Sequence, residues 1–332
     1  MSWTNCLAIA ALWLLIFAVS ERWWVGTALT FFPRWPWVLP SLALMVFSPF
    51  FNRRYVLLNL LSALFVCGPV SQYQFAFGSP PRVSADALGL KVVTCNVQGY
   101  RQDFSSVVNE MVRLDPDVIA LQEALPENES IARHFGTWHT VHVGEFWIGS
   151  RYPVRIIDEC YSKAFDRRTA ICAAIETPRG EIRLINLHQM TARRALNELK
   201  GEGLINGRGS RRVERQALLR DDEARQTREF VDYYCAGKPT LIVGDFNLPT
   251  SSSIYRSHWG HYLNAFEEVG EGFGYTSPCS RFWWWPLETP WLRIDHIIGS
   301  SHWQPTHCHI GSSTGSDHRL VFARWQLNRS AD

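Results

Sequence analysis

Pro239-Thr240-Leu241-Ile242-Val243-Gly244-Asp245-Phe246-Asn247 runs a short apolar strand straight into two polar side chains. Leu241 to Val243 read as a buried strand by their aliphatic, partly β-branched character. Gly244 lets the backbone turn closely. Asp245 and Asn247 stand two positions apart, so in an extended chain they face the same way. An Asx-turn at the strand end accounts for one of them but not for the pair.

Five other segments have the same design. They are Val93-Thr94-Cys95-Asn96, Leu121-Gln122-Glu123, Ile185-Asn186-Leu187-His188, Arg293-Ile294-Asp295-His296 and Gly315-Ser316-Asp317-His318. Taken singly, each has a plain reading: Asn96 a strand-end cap, Glu123 a solvated charge, an Asp-His pair a structural hydrogen bond. Taken together, Asn96, Glu123, His188, Asp245, Asn247, Asp295, Asp317 and His318 supply oxygen donors for a hard cation and imidazoles that hold or pass protons. Apolar strands ending in such residues predict one polar pocket at a sheet rim.

Charge is distributed unevenly along the 332 residues. From Met1 to Pro81 only Glu21, Arg22, Arg34, Arg53 and Arg54 are charged, which leaves 29 basic and 30 acidic residues for the rest. That remainder is nearly neutral and lacks the basic excess of a protein that grips duplex nucleic acid by charge. Met1–Ser20 is uncharged and apolar, and Trp35–Asn52 and Tyr55–Pro81 are also free of charge. A bilayer-spanning helix needs about 20 mostly apolar residues. The first segment fits, Pro36, Pro40 and Pro49 interrupt the second, and the apolar part of the third is short (Val56–Val70). Trp23, Trp24, Trp35 and Trp37 suggest an interfacial belt. A cleaved signal peptide fits less well, because no basic residue precedes the apolar run and Glu21-Arg22-Trp23-Trp24 is a poor cleavage site. The expectation is a multi-pass anchor of two or three spans over residues 1–78. Arg53-Arg54 would place that loop in the cytoplasm, and the remainder on the periplasmic or extracytoplasmic side.

Ser79-Pro80-Pro81 opens a linker over 79–87, ahead of a domain spanning 88–328. Strands are expected at Lys91–Val97, Val118–Leu121, His139–Val143, Phe146–Ile148, Val154–Cys160, Thr169–Glu176, Ile182–Leu187, Pro239–Val243, Arg293–Ile298 and Leu320–Trp325. Helices are expected at Phe104–Leu114, Thr191–Lys200 and Arg212–Tyr234. Strands outnumber helices and several pair antiparallel, which favours two packed sheets flanked by helices. Eight cysteines form no Cys-x-x-Cys pair, which argues against zinc. Cys160–Cys172 and Cys279–Cys308 are candidate bridges for an exported domain.

In these six ordered motifs, residues 88–326 resemble the endonuclease/exonuclease/phosphatase superfamily, the fold of DNase I-like nucleases, inositol-polyphosphate phosphatases and bacterial sphingomyelinases. The resemblance implies a four-layer α/β/β/α sandwich of two mixed sheets, here preceded by transmembrane helices. It implies Mg²⁺, with Mn²⁺ as the alternative, held by Asn96, Glu123 and Asp317. It also implies Asp245 and Asn247 on the attacking water, Asp295 behind His318, and His188 beside the phosphate. The reaction implied is hydrolysis of a phosphodiester in nucleic acid or a lipid headgroup. A phosphomonoesterase of inositol-phosphate type or an inactive membrane-tethered binding module are the alternatives. Besides that substrate and the membrane, no protein partner is inferable. Ser150-Arg151-Tyr152-Pro153 matches a common family turn with a structural role. The arginine-rich stretch Arg193–Arg228 reads first as a solvated helix. Phe282-Trp283-Trp284-Trp285-Pro286, with Trp291, offers aromatics for a base or a lipid interface.

Overall fold

The computed structural model describes residues 1–75, 88–100, 104–125, 128–279, 289–312 and 315–328. The linker 79–87 and the aromatic run 282–286 lie outside the described residues. Among the described residues, twelve strands form two six-stranded sheets. They are β1 (Gly89–Asn96), β2 (Val118–Gln122), β3 (His139–Val143), β4 (Phe146–Ser150), β5 (Val154–Ser162), β6 (Arg167–Thr177), β7 (Gly180–His188), β8 (Thr240–Asp245), β9 (Leu263–Asn264), β10 (Asp295–Gly299), β11 (Trp303–Ile310) and β12 (Val321–Leu327). The first sheet runs β11-β12-β1-β2-β4-β3 and the second β5-β6-β7-β8-β10-β9. Each is antiparallel except for one central parallel pair, β1/β2 in one and β7/β8 in the other.

The period-two alternation of the strands assigns each side chain to a layer. Val92, Val118, Ala120, Ala173, Leu184, Leu241, Val243 and Ile297 meet between the sheets, closed by Trp303 and Trp325. Their neighbours face outward. Val93, Cys95, Ile119 and Leu121 pack under the helices Ser105–Leu114 and Glu129–Phe135. Ile185, Leu187 and Ile242 pack under the long helix Arg208–Cys235 and the short helix Ser253–His258. The layers are therefore α/β/β/α. The long helix begins earlier than expected, and the preceding stretch is broken into the single turns Arg193–Leu196 and Glu202–Ile205 by Gly201 and Gly207. β11 is absent from the strands expected above. It is an edge strand with a bulge between Pro305 and His307, a place where proline is tolerated.

The cysteine pairings do not form. Cys160 and Cys172 are free thiols, set opposite Ala170 and Asp158 by the β5/β6 register. Cys308 is a free thiol buried between the sheets, while Cys279 Sγ lies on Thr276 O at 3.5 Å.

In the N-terminal unit, the helical run Ser2–Arg22 is long and apolar enough to cross a membrane, with only 17% of its apolar window buried. Trp35–Phe50 and Arg54–Val70 are apolar but shorter. The three runs pack through small polar contacts. Asn59 Nδ2 donates to Ser2 Oγ (3.1 Å) and Ser48 Oγ (2.8 Å), and Asn5 Nδ2 to Ser41 Oγ (2.9 Å). Their outer faces expose Trp3, Leu7, Val46, Phe47, Leu57 and Leu64.

The loop after β8 is seated on the outer core. Phe246 is fully buried against Trp259 and His296, with ring centroids at 5.5 and 5.2 Å. His296 Nε2 lies 2.9 Å from Leu248 O, so a neutral ring donates to that carbonyl. Burial and the nearby Arg293 push the His296 pKa down to about 3. The neutral form is favoured in the fold, so this stabilisation is complete above the ordinary histidine pKa and is lost as pH falls toward 3. Urea midpoints measured between pH 7 and 4 should fall on acidification, this group contributing at most about 1.4 kcal/mol per pH unit. His296→Gln should flatten that dependence.

Candidate active site

Register brings the polar strand ends to one rim. β1 and β2 finish with Asn96 opposite Gln122, and β7 and β8 with His188 opposite Asp245. β10 enters antiparallel, with Asp295 opposite Asp245. Asp317 and His318 arrive on the loop into β12, whose Val321 pairs with Thr94 of β1. The close approach of β7 and β8 requires Gly244. Its φ is +133°, and a Cβ there would lie 2.0 Å from Leu187 O. Glu123 (φ 52°) and Asn247 (φ 50°) both take left-handed backbone as their strands turn away. That conformation is uncommon for a residue like Glu and marks a constrained position.

The Asp245 carboxylate is the hub. Asn247 N donates to Oδ1 at 2.9 Å. Oδ2 accepts from Asn247 Nδ2 (3.0 Å) and Asn96 Nδ2 (3.1 Å), and it faces His188 Nε2 (3.7 Å) and His318 Nε2 (3.8 Å). Burial pushes its pKa up to about 6, with the His318 and His188 rings pulling against that and the Asp295 charge adding to it.

His318 is backed by Asp295, whose Oδ2 accepts from Nδ1 at 2.8 Å. Its Nε2 points toward Asp245 and Ser277 Oγ (3.3 Å). Burial disfavours a charge on this ring, but the Asp295 and Asp245 charges and the Asp295 hydrogen bond hold its pKa well above the usual value. His188 is held on its other side: Nδ1 lies 3.2 Å from Glu145 Oε1, itself paired with Arg167 at 2.6 Å. Burial opposes protonation here too, and the bond to Glu145 and the Asp245 charge overcome it, raising the pKa. Asp317 is buried, with its Oδ1 4.0 Å from His318 Nε2.

Asn96 also donates through Nδ2 to Glu123 Oε1 (3.0 Å), so its amide sits between two carboxylates, while its Oδ1 accepts from Gln98 N (3.0 Å). Glu123 Oε1 lies 3.7 Å from His188 Nε2. All eight residues selected from the sequence thus come to one rim. Among the described carboxylates, imidazoles and thiols, the group whose donor atoms lie within 4.8 Å of one another is Asp245, Asp295 and His318. That set differs from Asn96, Glu123 and Asp317, but Asp295 and His318 already satisfy each other.

The rim opens into a cleft of about 440 Å³ lined by all of the eight side chains but Asp295, by Arg193, Arg194 and Lys200, and by Phe31, Phe32 and Pro33 of the N-terminal unit. A second groove of about 670 Å³ continues past Glu123 and His188 along Glu145, Phe165 and Arg167. Three of the basic residues of 193–228 therefore face the site. Arg225 and Arg228 form intrahelical ion pairs as expected. The second Asp-His pair is split, since His296 lies in the outer core beneath the loop. Ser150 and Arg151 sit at the far end of β4, where Arg151 Nε donates to Pro116 O (2.9 Å), a structural role.

Two features are missing from the residues selected above. Gln122 Nε2 donates to Asn186 Oδ1 (2.6 Å), joining the two sheets under the rim. Both are buried polar residues inside apolar strands, which is a usable signal. The Glu145–Arg167 support of His188 carries no such signal, because it comes from a turn and a distant strand start.

Two mixed sheets with a polar rim over their parallel centres define the DNase I-like α/β/β/α class. The chain belongs to the endonuclease/exonuclease/phosphatase family, whose model matches residues 93–318. No curated protein matches the chain in sequence. Among solved structures, an endonuclease/exonuclease/phosphatase from Bacteroides vulgatus is 14% identical, with TM-score 0.53 over 73% of this chain and 100% of that one. The 3'-5' exonuclease NExo from Neisseria meningitidis is 19% identical, with TM-score 0.51 over 72% and 100%. Humanized TDP2 from D. rerio is 17% identical, with TM-score 0.51 over 71% and 98%.

Asp295→Asn removes the charge behind His318. The imidazole pKa, followed by NMR titration, should fall. An unchanged titration would mean that Asp295 does not hold the imidazolium.

Proposed function

We propose that the chain is a divalent-metal-dependent phosphoesterase that hydrolyses a phosphodiester, held at a membrane by its N-terminal unit. The observation that carries this reading is the Asp245 carboxylate, with one oxygen within reach of Asn96, Asn247, His188 and His318. Among the structures of this fold, Neisseria NExo is described both as a 3'-5' exonuclease and as a 3' phosphatase bound to a product DNA hairpin.

The donor set suits Mg²⁺ or Mn²⁺. It offers carboxylates and an amide and no thiolate, and the Asn96 amide, whose NH₂ now bridges Glu123 and Asp245, would turn over to present its Oδ1 to the ion. Glu123, Asn96 and Asp317 would hold the ion, which would supply positive charge to the phosphoryl oxygens. Asp245 accepts the proton of the attacking water, its raised pKa making it a better base than an exposed carboxylate while leaving it ionised at pH 7. Asn247 keeps that carboxylate oriented. The His318 imidazolium, fixed by Asp295, neutralises charge building on the phosphoryl group. His188, braced by Glu145, contacts the phosphate or protonates the leaving oxygen. The full complement of these groups argues against an inactive binding module.

For the N-terminal unit, Ser2–Arg22 supports a membrane span by length and composition. The exposed apolar faces of Trp35–Phe50 and Arg54–Val70 extend that reading to a multi-pass anchor, with the site on the extracytoplasmic side if Arg53-Arg54 lies in the cytoplasm.

Full-length protein should hydrolyse bis-p-nitrophenyl phosphate and prefer it to the monoester p-nitrophenyl phosphate. EDTA should abolish turnover and Mg²⁺ or Mn²⁺ restore it. Asp245→Asn should lower kcat by about 10²–10⁴-fold without changing the circular dichroism spectrum. Preference for the monoester would favour the phosphomonoesterase, and metal-independent or absent turnover would exclude the enzyme proposed.

A further inference from the structure

The N-terminal unit is built into the active-site cleft. Its short helix Trp24–Phe31 ends in Phe31-Phe32-Pro33-Arg34, and this segment lies over the loop that follows Asp245 and Asn247. Phe31 is 9% exposed and belongs to the same outer core as Leu187, Phe246, Leu248 and Tyr255. The Arg220 guanidinium covers its ring at 5.0 Å, and Trp291 Nε1 donates to its carbonyl at 3.1 Å.

Charged groups lock the contact. Arg34 donates to Ser251 Oγ (2.5 Å) and to Val70 O (2.9 Å), tying the catalytic loop to the third apolar helix. The buried Glu21 carboxylate accepts from Ser253 N (2.8 Å), from Ser253 Oγ (2.7 Å) and from Ser252 Oγ. Gln72 Nε2 donates to Thr250 Oγ1 at 2.8 Å. Removing one partner of such buried groups is costly, so the unit is docked in a fixed pose.

The cleft is consequently two-sided. One side carries Asn96, Glu123, His188, Asp245 and His318, and the other carries Phe31, Phe32 and Pro33, continued by Trp291 and Leu292. Phe32 is half exposed. Arg193, Arg194 and Lys200 are the basic side chains of this lining. The half-exposed Trp23, Trp35 and Trp37 flank segment 31–34 in the chain, as interfacial aromatics flank a bilayer surface. A formal net charge of +2 lacks the strong basic excess that carries polynucleotide binding by charge.

We infer that the cleft takes an amphiphilic phosphodiester from the bilayer surface, its phosphate at Asp245 and His318 and its apolar part against Phe31-Phe32-Pro33. This rests on the phosphodiesterase reading above. In the reaction, the water oxygen bonds to phosphorus and the P–O ester bond breaks. Its electron pair stays with the leaving oxygen, which takes up a proton. The products are a phosphomonoester and an alcohol.

The test uses full-length protein in phosphatidylcholine nanodiscs with two probes that share one reacting centre, methyl and dodecyl p-nitrophenyl phosphate. Nitrophenol release reports both. Wild-type kcat/KM should be at least about tenfold higher for the dodecyl ester, an advantage expected from burying a few methylenes. Phe32→Glu should bring the dodecyl-to-methyl ratio close to one, and Phe32→Ala should move it the same way. Tyr233→Glu, on an exposed site of the long helix, should keep the wild-type ratio. A wild-type ratio near one, a ratio unmoved in both Phe32 variants, or faster cleavage of a DNA oligonucleotide than of the dodecyl ester would overturn the inference while leaving the phosphodiesterase reading intact. No turnover of either ester would instead remove that underlying reading.

Discussion

A carboxylate taken out of water must be surrounded by donors or positive charge, or it will not stay ionised. Asp245 is that carboxylate here, about 1% exposed at the end of β8. Its partners come from four separate stretches of chain: Asn96 from β1, His188 from β7, Asn247 from its own loop and His318 from the approach to β12. No local segment supplies them, so the sandwich has to place two parallel strand pairs with their ends at the same rim. The Gln122–Asn186 bond beneath the rim joins the sheets at that point and resists sliding of one over the other.

The same requirement reaches into the N-terminal unit. The loop leaving Asn247 has few strand partners of its own. It rests on Phe246 and His296 below, and Arg34 and Glu21 hold it from above. Arg220 links both sides, donating to Asn247 O (2.8 Å) and Met190 O (2.8 Å) while covering Phe31. The apolar unit and the polar rim therefore share one packed interface.

Legibility follows the physics of each element. β1, β2, β7 and β8 are readable because buried strands are continuous apolar runs with polar stops. β11 is not, because Pro305, His307 and His309 suit an edge strand but dilute the apolar pattern. His296 adjoins Asp295 in the chain yet takes no part in the site, because of the strand pleat. Adjacent residues in a strand face opposite ways, and that alternation sends His296 into the outer core. The expected cysteine pairs rest on spacing alone, and strand register instead sets Cys160 opposite Ala170 and Cys172 opposite Asp158.

By itself, the sequence determined which residues end strands, where most of the strands lie, and that a charge-poor apolar segment precedes them. These are local properties, written in hydrophobic period and in the placement of glycine and of polar stops. Tertiary structure alone decided the support of His188 by Glu145 and Arg167, the donors around Asp245, and the entry of segment 31–34 into the cleft. Each joins residues far apart in the chain, and their proximity depends on sheet order and docking, which no local pattern encodes.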